Sequence, residues 1–105
     1  MLWQTAIVTG PNASLSRQFL VDTGSTYTMI PEKDFSYLGL TVAGQVTVLT
    51  AEGVTGRNWG WANITFNGQT IKSQVIASPI PLRVIGYDVV KRTGLTIGAP
   101  DYRKV

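Results

Sequence analysis

Neither cysteine nor histidine occurs among the 105 residues. Without cysteine there is no disulfide scaffold, no thiol nucleophile and no thiolate metal site. Without histidine, Ser-His-Asp catalysis, imidazole general bases and the usual zinc sites fall away. Charge is scarce too: 14% of residues are charged, against about 25% in an average soluble domain. So few charges on so small a surface imply that part of it is hidden, as in an oligomer interface. No apolar run reaches membrane-spanning length, and the N-terminus lacks the basic-then-apolar pattern of a secretory signal. The expectation is a non-secreted chain with no membrane partner.

What is present suffices for one domain, with 44% hydrophobic residues. Acid–base chemistry has to come mainly from Asp22, Glu32, Asp34, Glu52, Asp88 and Asp101, or from lysine or tyrosine. The net charge of +3 rests on nine basic residues that are scattered apart from two short pairs. A nucleic-acid binder shows a denser stripe with interleaved aromatics, so no nucleic-acid partner is expected. No residue set has the spacing of a metal or nucleotide site, and no cofactor is expected. The sequons Asn12-Ala13-Ser14 and Asn63-Ile64-Thr65 read as chance.

Short runs rich in Val, Ile, Thr and aromatics recur between Gly, Pro and Asn, the pattern of an all-β domain. Candidate strands are Leu2–Val8, Gln18–Asp22, Tyr27–Ile30, Gln45–Ala51, Asn58–Phe66, Thr70–Ala77, Arg83–Ile85 and Leu95–Ile97. Turn signals stand at Gly10-Pro11-Asn12, Glu52-Gly53, Asn67-Gly68 and Ser78-Pro79, and the Asn-Gly pair predicts a tight hairpin. Two segments have helical signals. Pro31–Leu38 opens with a proline followed by acids, and Tyr87–Thr93 ends at Gly94.

One tripeptide carries chemistry: Asp22-Thr23-Gly24, directly after the apolar run Phe19-Leu20-Val21. A carboxylate at the end of a buried strand costs desolvation energy and needs hydrogen bonds or a function. The plain alternative is an Asp that caps its own turn. About sixty residues later comes Pro79-Ile80-Pro81-Leu82-Arg83-Val84-Ile85-Gly86, followed by Tyr87-Asp88-Val89-Val90: a turn, a buried strand and a short helix. Taken with Asp22-Thr23-Gly24, this closely resembles the retropepsins, the retroviral and retroviral-like aspartic proteases. In that family a strand ends in an Asp-Thr-Gly loop, and a downstream apolar–apolar–Gly strand enters a short helix behind it. Leu2-Trp3-Gln4 and Gly94-Leu95-Thr96-Ile97 also look like the family's terminal strands.

The resemblance implies an all-β closed barrel of the acid-protease type with one short C-terminal helix. Residues 1–105 would form one domain carrying one half-site. Two carboxylates sharing a proton hold the catalytic water in this chemistry, and the chain has a single Asp-Thr-Gly. A C2 homodimer would supply the second Asp22. Thr23 would hydrogen-bond across the two-fold axis, and Gly24 would offer its carbonyl to substrate. Ser25 would donate to the Asp22 carboxylate and favour its ionised form. Residues Val48–Trp61 would form a flap with its tip near Glu52-Gly53-Val54, closing over substrate. Trp59 and Trp61 would pack its base or each other. Leu20, Met29, Ile80, Leu82 and Val84 match apolar subsite walls, with Ser25, Thr26, Gly53 and Val54 also facing substrate. The substrate implied is extended polypeptide, including a polyprotein and the enzyme's own precursor, in a virion or the cytoplasm of a host cell.

The chain also departs from the family. Many retroviral members place acids after Asp-Thr-Gly-Ala and an Arg after the late Gly, whereas here Thr26, Tyr27 and Tyr87 stand there. The ion pair that braces the dimer in those members is absent, and Asp88 acts as a helix N-terminal charge or takes another partner. The tail 100–105 extends past the family's usual last strand. Two other functions stay open: a catalytically silent β domain for dimerisation or peptide binding, and a small basic barrel that binds RNA.

Overall fold

Alternation sets the first hairpin. In β1 (Leu2–Thr9) Ala6 and Val8 turn inward, and in β2 (Ser14–Asp22) Phe19 does the same. The antiparallel register, Thr9 opposite Ser14 through Leu2 opposite Val21, puts these positions on one face. The computed structural model describes residues 2–51 and 53–94. The expected strand Leu95–Ile97, Glu52 at the flap tip, and the tail 100–105 lie outside the described residues.

The remaining elements are β3 (Thr28–Pro31), α1 (Glu32–Tyr37), β4 (Gly44–Thr50), β5 (Gly53–Phe66), β6 (Gln69–Ser78), β7 (Val84–Gly86) and α2 (Tyr87–Thr93). Hydrogen-bonded neighbours run β1-β2-β7-β3-β6-β5, and Asn63–Thr65 of β5 pair back onto Ile7–Thr9 of β1. Six strands therefore close a ring, the closed barrel expected. Phe19, Ile30, Ile64, Phe66, Val75 and Ile85 fill it, with Val89 and Val90 of α2 joining the same cluster. Strand β4 pairs with β5 alone.

The two helices stand where the sequence signals put them, so the barrel carries α1 as well as the C-terminal α2. Glu32 and Asp34 occupy the first turn of α1, immediately after Pro31. The Asn67-Gly68 hairpin turn forms with both residues at positive φ, 53° and 74°. Two strands begin well ahead of expectation, beyond the one-residue differences at β4 and β6. β2 starts at Ser14 and β5 at Gly53 because ladders with β1 and β4 recruit polar, glycine-rich residues that have little strand preference of their own.

Strand β5 serves two structures. Its first half pairs with β4 to make a hairpin arm, and its second half pairs with β6 in the barrel. Trp59 pairs with both Gly44 and Ile76, where the change of neighbour occurs. Sheltered positions are odd from Gly53 to Trp59 and even from Gly60 to Phe66. The odd face thus covers the arm's underside and continues onto the outside of the barrel. Trp59 and Trp61 share it and pack on each other edge-to-face at 5.4 Å and 84°. Among the described residues no helix is long and apolar enough to cross a membrane.

Candidate active site

Asp22 is the last residue of β2 and pairs in parallel register with Gly86, the last residue of β7. The chain must turn sharply here, and it does so over the start of α2. The Ser25 carbonyl accepts from the Tyr87 N–H at 2.8 Å, and the Thr26 carbonyl accepts from the Asp88 N–H at 3.3 Å. These are amides that the first turn of a helix leaves without partners. The loop thereby caps α2, and α2 fixes the loop. Gly86 makes the approach possible, because a Cβ there would run into the Tyr27 carbonyl and lie 3.0 Å from that of Ser25. The Gly86 N–H donates to Thr28 Oγ1 at 3.0 Å in the buried layer beneath.

Within the loop the Asp22 carbonyl accepts from the Ser25 N–H at 3.0 Å, and Asp22 Oδ1 accepts from the Gly24 N–H at 2.9 Å. The carboxylate is exposed in the single chain. Ser25 corrects an expectation: its hydroxyl donates to the Tyr27 carbonyl at 2.8 Å. A serine has one O–H to give, so it ties down the loop and leaves the Asp22 carboxylate to other donors.

Beside the loop lies a cleft of about 600 Å³. Gly24, Ser25, Thr26, Tyr27, Met29, Ile76, Ser78 and Ile80 line it from the barrel, and Val48, Leu49 and Arg57 from the β4–β5 arm. Of the positions singled out in the sequence, the cleft brings together Gly24, Ser25, Thr26, Met29 and Ile80. Leu20, Leu82 and Val84 are not on its lining. Val84 is 2% exposed and pairs in the sheet with both Leu20 and Met29, so it supports the floor from within the core. Gly53 pairs with Thr50 at the arm's end, with φ at 119°, a conformation in which a side chain is strained. Val54 is exposed there, opposite a still more exposed Leu49.

Tyr27, Ile76, Ser78 and Arg57 are lining residues that sequence reasoning missed. Ile76 sits opposite Trp59 in the ladder and Ser78 follows it on the same face of β6. Arg57 is two residues from Trp59 on the odd face of β5. Period-two counting back along β5 from the tryptophans puts Arg57 on their face, whereas Ile76 follows only from the β5–β6 register.

The site is braced from behind by two ion pairs. Arg83, just before β7, meets the buried Asp34 of α1 with Nε to Oδ2 at 2.7 Å and Nη2 to Oδ1 at 3.2 Å. Asp88, at the start of α2, does take a partner: Arg92 Nε lies 3.3 Å from its Oδ1. Ser73 Oγ also donates to Asp88 Oδ2 at 3.4 Å. Among the described residues no three of the metal-ligating types gather in one place. The arrangement offers one exposed, loop-held carboxylate beside a cleft that is roofed by a hairpin arm and has Arg57 as the one charged side chain among its described lining residues.

Comparison with known proteins agrees with this geometry. A family model described as Aspartyl protease matches residues 9–88. No curated protein matches the chain. Among solved structures, EIAV protease complexed with the inhibitor HBY-793 shares the fold, with a TM-score of 0.73 over 93% of this chain and 92% of that one at 16% identity. The match of sequence model and fold over the loop, the cleft and the ring of strands places this chain in the retropepsin-like aspartyl protease family.

Proposed function

We propose that the chain is an aspartic endopeptidase that works as a homodimer, each subunit giving one Asp22 to a shared site. The observation that carries this reading is the Asp22 carboxylate itself: rigidly held by its loop, exposed in the single chain, and alone, since the sequence has one Asp-Thr-Gly. One carboxylate cannot both take a proton from water and give one to a carbonyl in the same step. Two related by a C2 axis can.

In the proposed mechanism a water lies between the two Asp22 side chains. The ionised carboxylate removes a proton from it as its oxygen bonds to the scissile carbonyl carbon, and the protonated partner hydrogen-bonds the carbonyl oxygen. The tetrahedral diol then collapses: the C–N bond breaks and a proton from the carboxyl pair goes to the leaving amine. Thr23 ties the two loops together across the axis, and the Gly24 carbonyl takes a hydrogen bond from substrate backbone. The β4–β5 arm closes as a flap and excludes water. Leu49 and Val54 at its end, 83% and 70% exposed in the single chain, meet substrate or the partner's flap when it does.

An extended peptide suits a cleft between a strand pair and a loop, where backbone hydrogen bonds give affinity and side-chain pockets give selectivity. Met29, Ile76 and Ile80 favour bulky apolar residues at the cut. The natural substrate is a polyprotein that includes the enzyme's own precursor, processed in a virion or the cytoplasm of a host cell. The test is peptide-library cleavage from acidic to neutral pH, comparing wild type with Asp22→Asn at matched high concentration. Cleavage that disappears in the variant is the expected result. Equal cleavage by both would remove Asp22 from the mechanism, and silence of a folded, dimeric wild type would favour a peptide-binding module.

A further inference from the structure

Arg57 is the one charged side chain among the described residues that line the cleft. It belongs to the sheltered, odd face of β5, between Thr55 and Trp59, and its cross-strand neighbour on β4 is Val46. Among the described residues of the arm there is no acidic side chain to set against it. The ion pairs among the described residues, Asp34–Arg83 and Asp88–Arg92, leave it out as well. Its Nη1 donates to Thr55 Oγ1 at 3.0 Å and to the Gly56 carbonyl at 3.1 Å. Those two bonds use both hydrogens of Nη1 and hold the guanidinium along its own strand. The Nε–Nη2 edge makes no hydrogen bond among the described residues, and that edge is a fork matching a carboxylate with two parallel bonds.

We infer that Arg57 makes this enzyme selective for substrates with a carboxylate side chain, Glu or Asp, in the stretch that lies under the flap; the inference rests on the endopeptidase reading above. The physical reason is the cost of closing the flap. In the open cleft the guanidinium edge is hydrated. Closure removes that water, and a cation left without partners in an apolar setting is penalised. A substrate carboxylate restores two charge-assisted bonds. An amide offers weaker acceptors, and a lysine adds repulsion. The selectivity therefore arises as much from rejection of neutral and basic segments as from attraction of acidic ones.

The test uses pairs of peptides that differ only by Glu against Gln, at each position within four residues of a mapped cut. Wild type should prefer Glu at one position by about 10- to 100-fold in kcat/KM, the range for hydrogen bonds to a charged group. That ratio should fall to about one in Arg57→Gln, persist in part in Arg57→Lys, and turn into a preference for Lys over Gln in Arg57→Glu. Because each is a ratio within one variant, a general loss of activity does not disturb it. The wild-type preference should also fade as pH drops through about 4.3, where a peptide glutamate protonates. Cleavage by wild type with equal rates for Glu and Gln at every position overturns the inference alone, as does a Glu preference that survives in Arg57→Gln. Cleavage that survives in Asp22→Asn, or none by folded dimeric wild type, overturns the endopeptidase reading and this inference with it.

Discussion

A methyl group at position 86 would run into the Tyr27 carbonyl, which belongs to the same loop that presents Asp22. The carbonyls of Ser25 and Thr26 are committed to the amides at the start of α2, so the loop has no slack with which to retreat. Gly86→Ala should therefore cost about 2 kcal/mol or more through overpacking of a buried contact. That corresponds to a fall of about 10 °C in Tm for a domain of this size, together with loss of peptidase activity. Thermal melting and a cleavage assay on the folded fraction check both parts. A Tm within a degree or two of wild type would mean that the close approach is not needed. Asp22-Thr23-Gly24 and Gly86 were legible in the sequence because each is a local signal, an acid or a glycine directly behind an apolar run. The destination of the Ser25 hydroxyl was not. Its bond to the Tyr27 carbonyl depends on how the loop folds back, which no local pattern announces.

At the scale of elements, the Asp34–Arg83 pair joins α1 to the segment that leads into β7, and β7 in turn pairs with the end of β2 that carries Asp22. The Arg83 carbonyl also accepts from the Leu20 N–H at 2.9 Å. Asp34 is buried and Arg83 partly so, and removing one member leaves the other unpaired, so Asp34→Asn should destabilise by about 2 kcal/mol. Replacing both by apolar residues of similar volume, Asp34→Leu with Arg83→Met, should recover much of that loss. Denaturant unfolding of the two single variants and the double variant measures the coupling. Purely additive losses would show that the bridge is not a unit. This brace joins residues 49 apart in the chain, and neither sequence neighbourhood announces it. The hairpin at Asn67-Gly68, the two helices and the shared face of Trp59 and Trp61 were legible because turn chemistry and periodicity are short-range. The early starts of β2 and β5 were hidden, since the ladders that form them are made by partner strands and not by local preference. Arg57 escaped for the same reason: its place over the cleft follows from where β5 exchanges one neighbour for another at Trp59.

At the scale of the whole molecule, the closed ring of strands accounts for the core, and what it leaves uncovered accounts for the function. Asp22, Tyr87, Leu49 and Val54 are all exposed in the single chain. On the proposed reading, a low charge fraction and a single Asp-Thr-Gly per chain are two aspects of one design, in which a second copy completes the site. The most direct measurement of that claim is the peptidase activity of wild type mixed with Asp22→Asn after subunit exchange, at constant total concentration. If each active site needs two Asp22 side chains, activity follows the square of the wild-type fraction, and an equal mixture keeps about a quarter of full activity. If each chain works alone, activity follows that fraction linearly, the mixture keeps about half, and the shared site is contradicted.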